Sequence, residues 1–279
     1  MKDKRLLTIQ DISCVGQCSL TVALPIISAC GVEASILPSA VLSTHTSGFT
    51  GYTFRDLSED MPAINAHWRK EGIRFDAVYT GYLGSARQVA DVRQIMRDTL
   101  SPGGLRIVDP AMGDNGKLYP GFDAAYAQAM ATLCGGADII LPNITEACFM
   151  TGAPYPAQGY DEGFIQELLA RLTDLGAGSV VLTGVSYAPD QVGVAVYEGG
   201  QTRYYVHERI AKSFHGTGDV YASAFTGALM RGFPAYEAAR LAADFTVACI
   251  RKTLDDPDHW YGVKFERALP MLIERVNRP

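Results

Sequence analysis

Residues 6–10 read Leu6-Leu7-Thr8-Ile9-Gln10, residues 19–30 read SLTVALPIISAC, and residues 34–37 read Ala34-Ser35-Ile36-Leu37. The first is a short, largely apolar run of strand length. The second carries apolar residues at helical spacing and stops before Gly31, a residue type common just past a helix end. The third is again strand-like. Strand, helix and strand within about 30 residues form a βαβ unit, whose crossover lays the two strands parallel in one sheet.

The alternation continues outward from this unit. Apolar segments at 77–79, 106–108, 139–141 and 179–183 read as buried strands, and helical segments at 86–100, 121–134, 146–150 and 162–175 alternate with them. Short apolar strands alternating with helices predict an α/β fold, a central and mainly parallel sheet flanked by helices on both faces. Segments 193–198 and 202–207, joined by Gly199-Gly200, predict a hairpin that adds antiparallel strands at one edge. Helices at 219–230, 235–252 and 265–276 close the chain. No linker, low-complexity tract or internal repeat interrupts it, so one domain spanning 1–279 is expected.

Composition narrows the function classes. Apolar residues make up 48% and charged residues 19%, as in compact globular proteins. The net charge of −6 and the lack of any long basic run argue against nucleic-acid binding. Negative net charge does not argue against a nucleotide, because backbone N–H groups and a metal ion supply local positive potential. Six cysteines without a CxxC or CxxH spacing exclude a structural zinc site of the usual kind and fit a reducing, cytoplasmic setting. The N-terminal apolar run is too short for a signal peptide, and no run of about 20 apolar residues spans a bilayer.

Ligands of open α/β sheets bind beyond the carboxyl ends of the strands. The polar residues that follow the strands are therefore the candidates: Asp11, the 43–46 segment, Tyr82, the 109–114 segment, the 143–146 segment and Thr183. The strongest local signal is Gly216-Thr217-Gly218-Asp219, set before a helix rich in small residues. Glycines let the backbone turn its N–H groups toward a phosphate, and a helix N-terminus adds partial positive charge there. An alcohol attacking phosphorus must lose a proton, and Asp219 at the lip of such an anion hole would accept it. The alternative is a tight turn with Asp219 as a helix cap.

The chain resembles the pyridoxal/pyridoxamine kinases of the ribokinase-like superfamily. The resemblance rests on Ser43-Thr44-His45-Thr46, Gly81-Tyr82-Leu83-Gly84-Ser85, Asp109-Pro110-Ala111-Met112-Gly113-Asp114, Pro142-Asn143-Ile144-Thr145-Glu146 and Gly216-Thr217-Gly218-Asp219, in the family's order. It implies a ribokinase-like sheet, ATP and Mg²⁺ as co-substrates, a B6 vitamer as phosphoryl acceptor and a homodimer. Matched by motif, Asp219 is the base, and the backbone of Gly216, Thr217 and Gly218 stabilises the transferring phosphoryl group.

Asn143 and Glu146 match the pair that holds Mg²⁺ through its waters. The same spacing also makes a capping box at a helix N-terminus, and both can hold together. Asp109 and Asp114 match positions facing the ATP phosphates and metal, with turn stabilisation as the alternative. Thr183 matches a residue that reaches the phosphates. His45, Thr46 and Tyr82 match the lining of the pyridine pocket.

The departure is Asp11, where relatives carry a serine. A carboxylate there predicts a preference for pyridoxamine, whose ammonium it would attract. Two other readings remain: a hydroxymethylpyrimidine kinase of thiamine synthesis, with the same chemistry, and a non-catalytic vitamer- or nucleotide-binding protein on the same fold.

Overall fold

The computed structural model describes residues 4–156 and 159–278. The opening unit forms as expected: β1 (Arg5–Ser13), α1 (Leu20–Ala29) and β2 (Glu33–Leu42), with β1 and β2 parallel. Next come β3 (Phe54–Asp56), α2 (Met61–Lys70), β4 (Phe75–Thr80), α3 (Ala86–Thr99) and β5 (Leu100–Val108). A small hairpin of β6 (Gly113–Asp114) and β7 (Lys117–Leu118) precedes α4 (Ala124–Cys134), β8 (Ile139–Ile140) and α5 (Ile144–Thr151). The chain continues through α6 (Glu162–Asp174), β9 (Ser179–Val185), β10 (Gln191–Glu198), β11 (Gln201–Glu208), α7 (Thr217–Met230), α8 (Ala235–Thr253) and α9 (Leu269–Val276).

Nine strands form one sheet in the order β11-β10-β9-β8-β5-β4-β1-β2-β3. The six from β9 to β2 are parallel, as predicted. The hairpin of β10 and β11 adds the predicted antiparallel edge. A second antiparallel edge, β3 on β2, was not expected. Its three exposed residues carry no alternating apolar signal.

Side-chain alternation splits the core in two. Leu6, Ala77, Tyr79, Ile107, Val181, Val194 and Val196 point to the face covered by α1, α7, α8 and α9. Leu7, Ile9, Val78, Val108, Ile140, Val180, Leu182 and Ala195 point to the other, covered by α3, α4, α5 and α6. Each large apolar side chain fully withdrawn from water, such as Phe225 or Phe245, contributes about 1.5–3 kcal/mol. The small residues of α7 let it lie close to α1: a Cβ on Gly227 would stand 2.5 Å from the Cys30 sulfur.

Several elements differ from expectation: β5 begins at Leu100, expected to end the preceding helix, and α4 begins at Ala124 rather than at 121. Helix α2 was missed, because only Met61 and Asn65 are buried in it and its apolar stripe is thin. The closing helix expected over 265–276 is a 3₁₀ turn (Phe265–Arg267) followed by α9, whose first turn holds Pro270. Helix α7 begins at Thr217, so the Gly-Thr-Gly-Asp motif is the helix start itself.

From β1 the chain crosses to β2 on one side, then returns to β4 on the other. The crevice beyond the carboxyl ends of β1 and β4 is therefore the topological switch point, the usual ligand position in such sheets.

Candidate active site

Gly216 takes the N-cap position of α7 at φ 75°, a left-handed conformation that glycine adopts without penalty. A Cβ there would lie 1.9 Å from the carbonyl oxygen of Gln17, so space as well as conformation demands glycine. No side chain caps this helix, so the capping alternative for Asp219 does not hold. Asp219 stands in the first turn, where the exposed N–H groups of α7 point outward. Burial pushes its carboxyl up to about 7; the backbone amide of Ser19 opposes that shift and the nearby Asp11 adds to it. Ser19 itself sits at φ 53°, a strained conformation for a residue with a side chain, at the point where the β1–α1 loop meets Asp219.

Around Asp219 the structure gathers the residues expected to meet the acceptor. Asp11 is buried at the end of β1, and burial raises its carboxyl despite the hydroxyls of Ser19 and Ser13, the latter donating at 3.1 Å. Tyr82, after β4, is half-buried, its phenol pushed up to about 12 by burial and by Asp11. It begins an aromatic row with Phe122 (5.5 Å between ring centroids) and Tyr126, which stacks on Phe122 at 3.9 Å.

His45 is also buried, and both ring nitrogens are engaged. Nδ1 accepts from the Ser47 amide at 3.2 Å, which leaves the proton on Nε2 to donate to the Tyr261 carbonyl at 3.1 Å. Burial lowers its pKa, in keeping with this neutral form. Only the ring carbons of His45 are left to meet a ligand. Thr46 is exposed beside it.

On the other flank of Asp219 stand the residues expected to meet nucleotide and metal. Asp109, after β5, and Glu146, in the first turn of α5, are both buried. Burial raises both carboxyls, and for Asp109 the proximity of Glu146 and Asp219 adds to the shift. The capping box is complete: Asn143 Oδ1 accepts from the Glu146 amide at 2.9 Å, and Glu146 Oε2 accepts from the Asn143 amide at 2.8 Å. Glu146 Oε1 accepts from the Met112 amide at 3.1 Å. Thr183 joins this end of the sheet, its amide donating to the Pro142 carbonyl at 2.9 Å.

Asp114 is committed locally. Its two oxygens accept from the backbone and side chain of Asn115 at 2.8 and 3.0 Å, within the Asn115-Gly116 turn of the β6–β7 hairpin. For Asp114 the geometry realises the turn alternative.

Among the described residues no three acidic, His or Cys side chains are placed to grip a metal directly. Mg²⁺ uses few protein oxygens and keeps several of its waters, so it does not require such a cluster. If Glu146 serves the metal as well as the helix, Glu146→Gln raises the Mg²⁺ concentration for half-maximal activity several-fold. A Mg²⁺ titration together with a thermal melt checks this. An unchanged titration with a lowered melting temperature leaves only the cap.

The comparisons fit this geometry. The phosphomethylpyrimidine kinase family profile matches residues 24–262. The chain belongs to the phosphomethylpyrimidine kinase family. A pyridoxine/pyridoxal/pyridoxamine kinase of Bordetella bronchiseptica is 29% identical to this kinase over 263 residues, 89% of either chain. A pyridoxal kinase structure from Lactobacillus plantarum is 34% identical, superimposes with a TM-score of 0.90 and covers 98% of this chain and 97% of its own. A candidate phosphomethylpyrimidine kinase from Bacteroides thetaiotaomicron, crystallised with pyridoxal, is 38% identical with a TM-score of 0.91, covering 97% of this chain and 96% of its own. The fold of this kinase is ribokinase-like.

Contacts that brace the candidate site were not legible in the sequence. Gln17 donates through Nε2 to Glu266 at 2.7 Å, its Oε1 lies 2.9 Å from His259 Nε2, and its amide donates to the Tyr261 carbonyl at 3.1 Å. Trp260 packs on Phe49 at 4.6 Å, and a Cβ on Gly48 would come within 2.8 Å of its ring. The loop around 256–262 thus packs against Gln17 and the 43–49 segment. It lies more than 200 positions away in the chain, and no local pattern announces it.

Proposed function

We propose that this kinase transfers the γ-phosphoryl group of ATP to the hydroxymethyl group of a B6 vitamer. The observation that carries the reading is the position of Asp219. A carboxylate with a proton affinity near neutrality sits in the first turn of α7, between the Asp11–Tyr82–His45 pocket and the Asp109–Glu146 flank. A base works best with a pKa near the working pH, where it is available yet still binds the proton strongly.

In this mechanism Asp219 accepts the proton of the hydroxymethyl oxygen as that oxygen approaches phosphorus. The N–H groups from Gly216 to Gly218 receive the equatorial oxygens, where charge accumulates in the transition state. Asp109, Asn143 and Glu146 would hold Mg²⁺, which when bound neutralises phosphate charge. Tyr82 offers a ring face to the acceptor, and Thr46 a hydroxyl at the pocket rim. Thr183 lies on the nucleotide side.

The second reading, a hydroxymethylpyrimidine kinase, is favoured by the description of the matching family profile and has the same chemical needs. An ATP-consumption assay with Mg²⁺ across pyridoxamine, pyridoxal, pyridoxine and hydroxymethylpyrimidine tests the choice. The B6 reading expects kcat/KM to be highest for a vitamer; a pyrimidine preference overturns it. The six free thiols support a reducing compartment, and the family resemblance supports a homodimer of single-domain chains working in the cytoplasm.

The buried Asp11 supports a finer choice among vitamers. An ammonium facing its carboxylate would gain about 1–3 kcal/mol over a neutral group, a five- to 150-fold preference for pyridoxamine. Asp11→Ser is expected to collapse the ratio of kcat/KM for pyridoxamine over pyridoxal by about that factor. A ratio that stays put while both values fall would place Asp11 against a part of the ring that all vitamers share.

A further inference from the structure

Beneath Asp219 the core holds a stripe of buried polar side chains whose oxygens lack full hydrogen bonds; Gln10 is bonded through its Nε2, which donates to Thr8 Oγ1 at 2.9 Å. Ser223 and Thr226 follow Asp219 on α7 at spacings of four and seven, so the three share one helix face. That helix packs on the sheet face that carries Tyr79. Across the β1–β4 pair Thr8 lies opposite Tyr79, and Gln10 stands one step nearer the crevice on the same face. Gly81 leaves room for Gln10: a Cβ there would lie 2.6 Å from its side-chain oxygen.

All four residues of the stripe, Gln10, Tyr79, Ser223 and Thr226, are fully buried. Among the described residues Gln10 Oε1, Tyr79 Oη, Ser223 Oγ and Thr226 Oγ1 have no hydrogen-bond partner at full geometry. Ser223 and Gln10 both approach the Tyr79 phenol closely enough to act on it as hydrogen-bond partners, though not at ideal geometry. Buried polar atoms are almost always paired, and where protein atoms do not pair them ordered water does. Four such oxygens, two on the α7 face and two on the facing sheet, suit internal water. The phenol also lies within electrostatic reach of Asp109 and Asp219, and burial keeps it protonated and able to donate.

We infer that Tyr79, acting with Ser223 through internal water, holds the Asp219 carboxylate in its working orientation. Tyr79 is then a positioning residue of the kinase, and the inference rests on Asp219 being the base. An orphaned hydroxyl with no task behaves differently: its removal is neutral or stabilising, because an unpaired polar group no longer has to be buried.

The test is steady-state kinetics and thermal melting of Tyr79→Phe, of Ser223→Ala, and of each combined with Asp219→Asn. Misplacing a reacting group reduces turnover without weakening binding, so kcat in each single variant should fall roughly ten- to a hundredfold. KM for ATP and acceptor should stay within about twofold and the melting temperature should hold or rise. In the Asp219→Asn background neither substitution should cause a further loss. Unchanged kcat in both Tyr79→Phe and Ser223→Ala overturns the inference, as does a loss that persists undiminished in the Asp219→Asn background. If Asp219→Asn itself turns over normally, the base assignment and the inference fall together; if it is crippled while Tyr79→Phe and Ser223→Ala are normal, only the inference falls. Should Tyr79→Phe not fold, Ser223→Ala decides by the same criteria.

Discussion

Asp219→Asn is expected to lower kcat by about 10²–10⁴-fold, the usual contribution of a general base, with KM for ATP little changed. The substitution keeps the shape of the side chain and the start of α7 but removes the site that takes the proton. The pH dependence should follow. Asp219 must be ionised to act, and burial lifts its carboxyl to about 7, so kcat/KM of the native kinase should fall as pH drops through about 7. That acid limb should vanish from the residual activity of Asp219→Asn. Steady-state kinetics between about pH 5 and 8, the window in which most domains are most stable, give both readouts. Near-normal turnover in a folded Asp219→Asn protein removes this residue from the chemistry.

Gly216→Ala should be nearly as damaging, for a geometric reason. A left-handed conformation costs a residue with a Cβ about 1–2 kcal/mol. The new methyl would also stand 1.9 Å from the Gln17 carbonyl oxygen, a backbone atom that cannot rotate away. Either the 15–19 loop or the first turn of α7 must shift, and that turn carries both Asp219 and the amides proposed to receive the phosphoryl oxygens. Loss of one such donor costs about 10²–10³ in kcat, which sets the expected effect. The melting temperature should fall as well. Gly218→Ala is the control for stability, because open space surrounds the position where its Cβ would go. A Gly216→Ala protein with native melting temperature and turnover would mean that the loop yields freely.

Much of the sheet was legible because its buried strands are short apolar runs: the strands expected at 6–10, 77–79 and 106–108 lie within β1, β4 and β5, and the one at 139–141 runs one residue past β8. What escaped was structure whose signal is not apolar periodicity. Strand β3 is wholly exposed, and α2 buries little. The β6–β7 hairpin is specified by Asn115-Gly116, a two-residue turn signal hidden inside a motif read for its carboxylates.

The site divides along the same line. Residues at or just past strand ends, such as Asp11 near the end of β1 and Tyr82 and Asp109 after β4 and β5, come together because the topology requires it. Their hydrogen bonds were not foreseeable. Asp114 turns its oxygens to Asn115, and His45 gives both nitrogens to backbone groups, one of them on the 256–262 loop. The Gln10–Tyr79–Ser223–Thr226 stripe looks in the sequence like ordinary strand and helix interior; only packing shows that its oxygens lack full hydrogen bonds among the described residues.

The central claim is that this kinase places the γ-phosphoryl group of ATP on the hydroxymethyl oxygen of a B6 vitamer. Phosphorus NMR of a reaction containing the kinase, ATP, Mg²⁺ and pyridoxamine or pyridoxal tests it most directly. The account predicts a new phosphate-monoester resonance, coupled to the methylene protons of the ring substituent and growing in step with ADP. Inorganic phosphate as the only new product, or an ester formed with hydroxymethylpyrimidine and with neither vitamer, would contradict it.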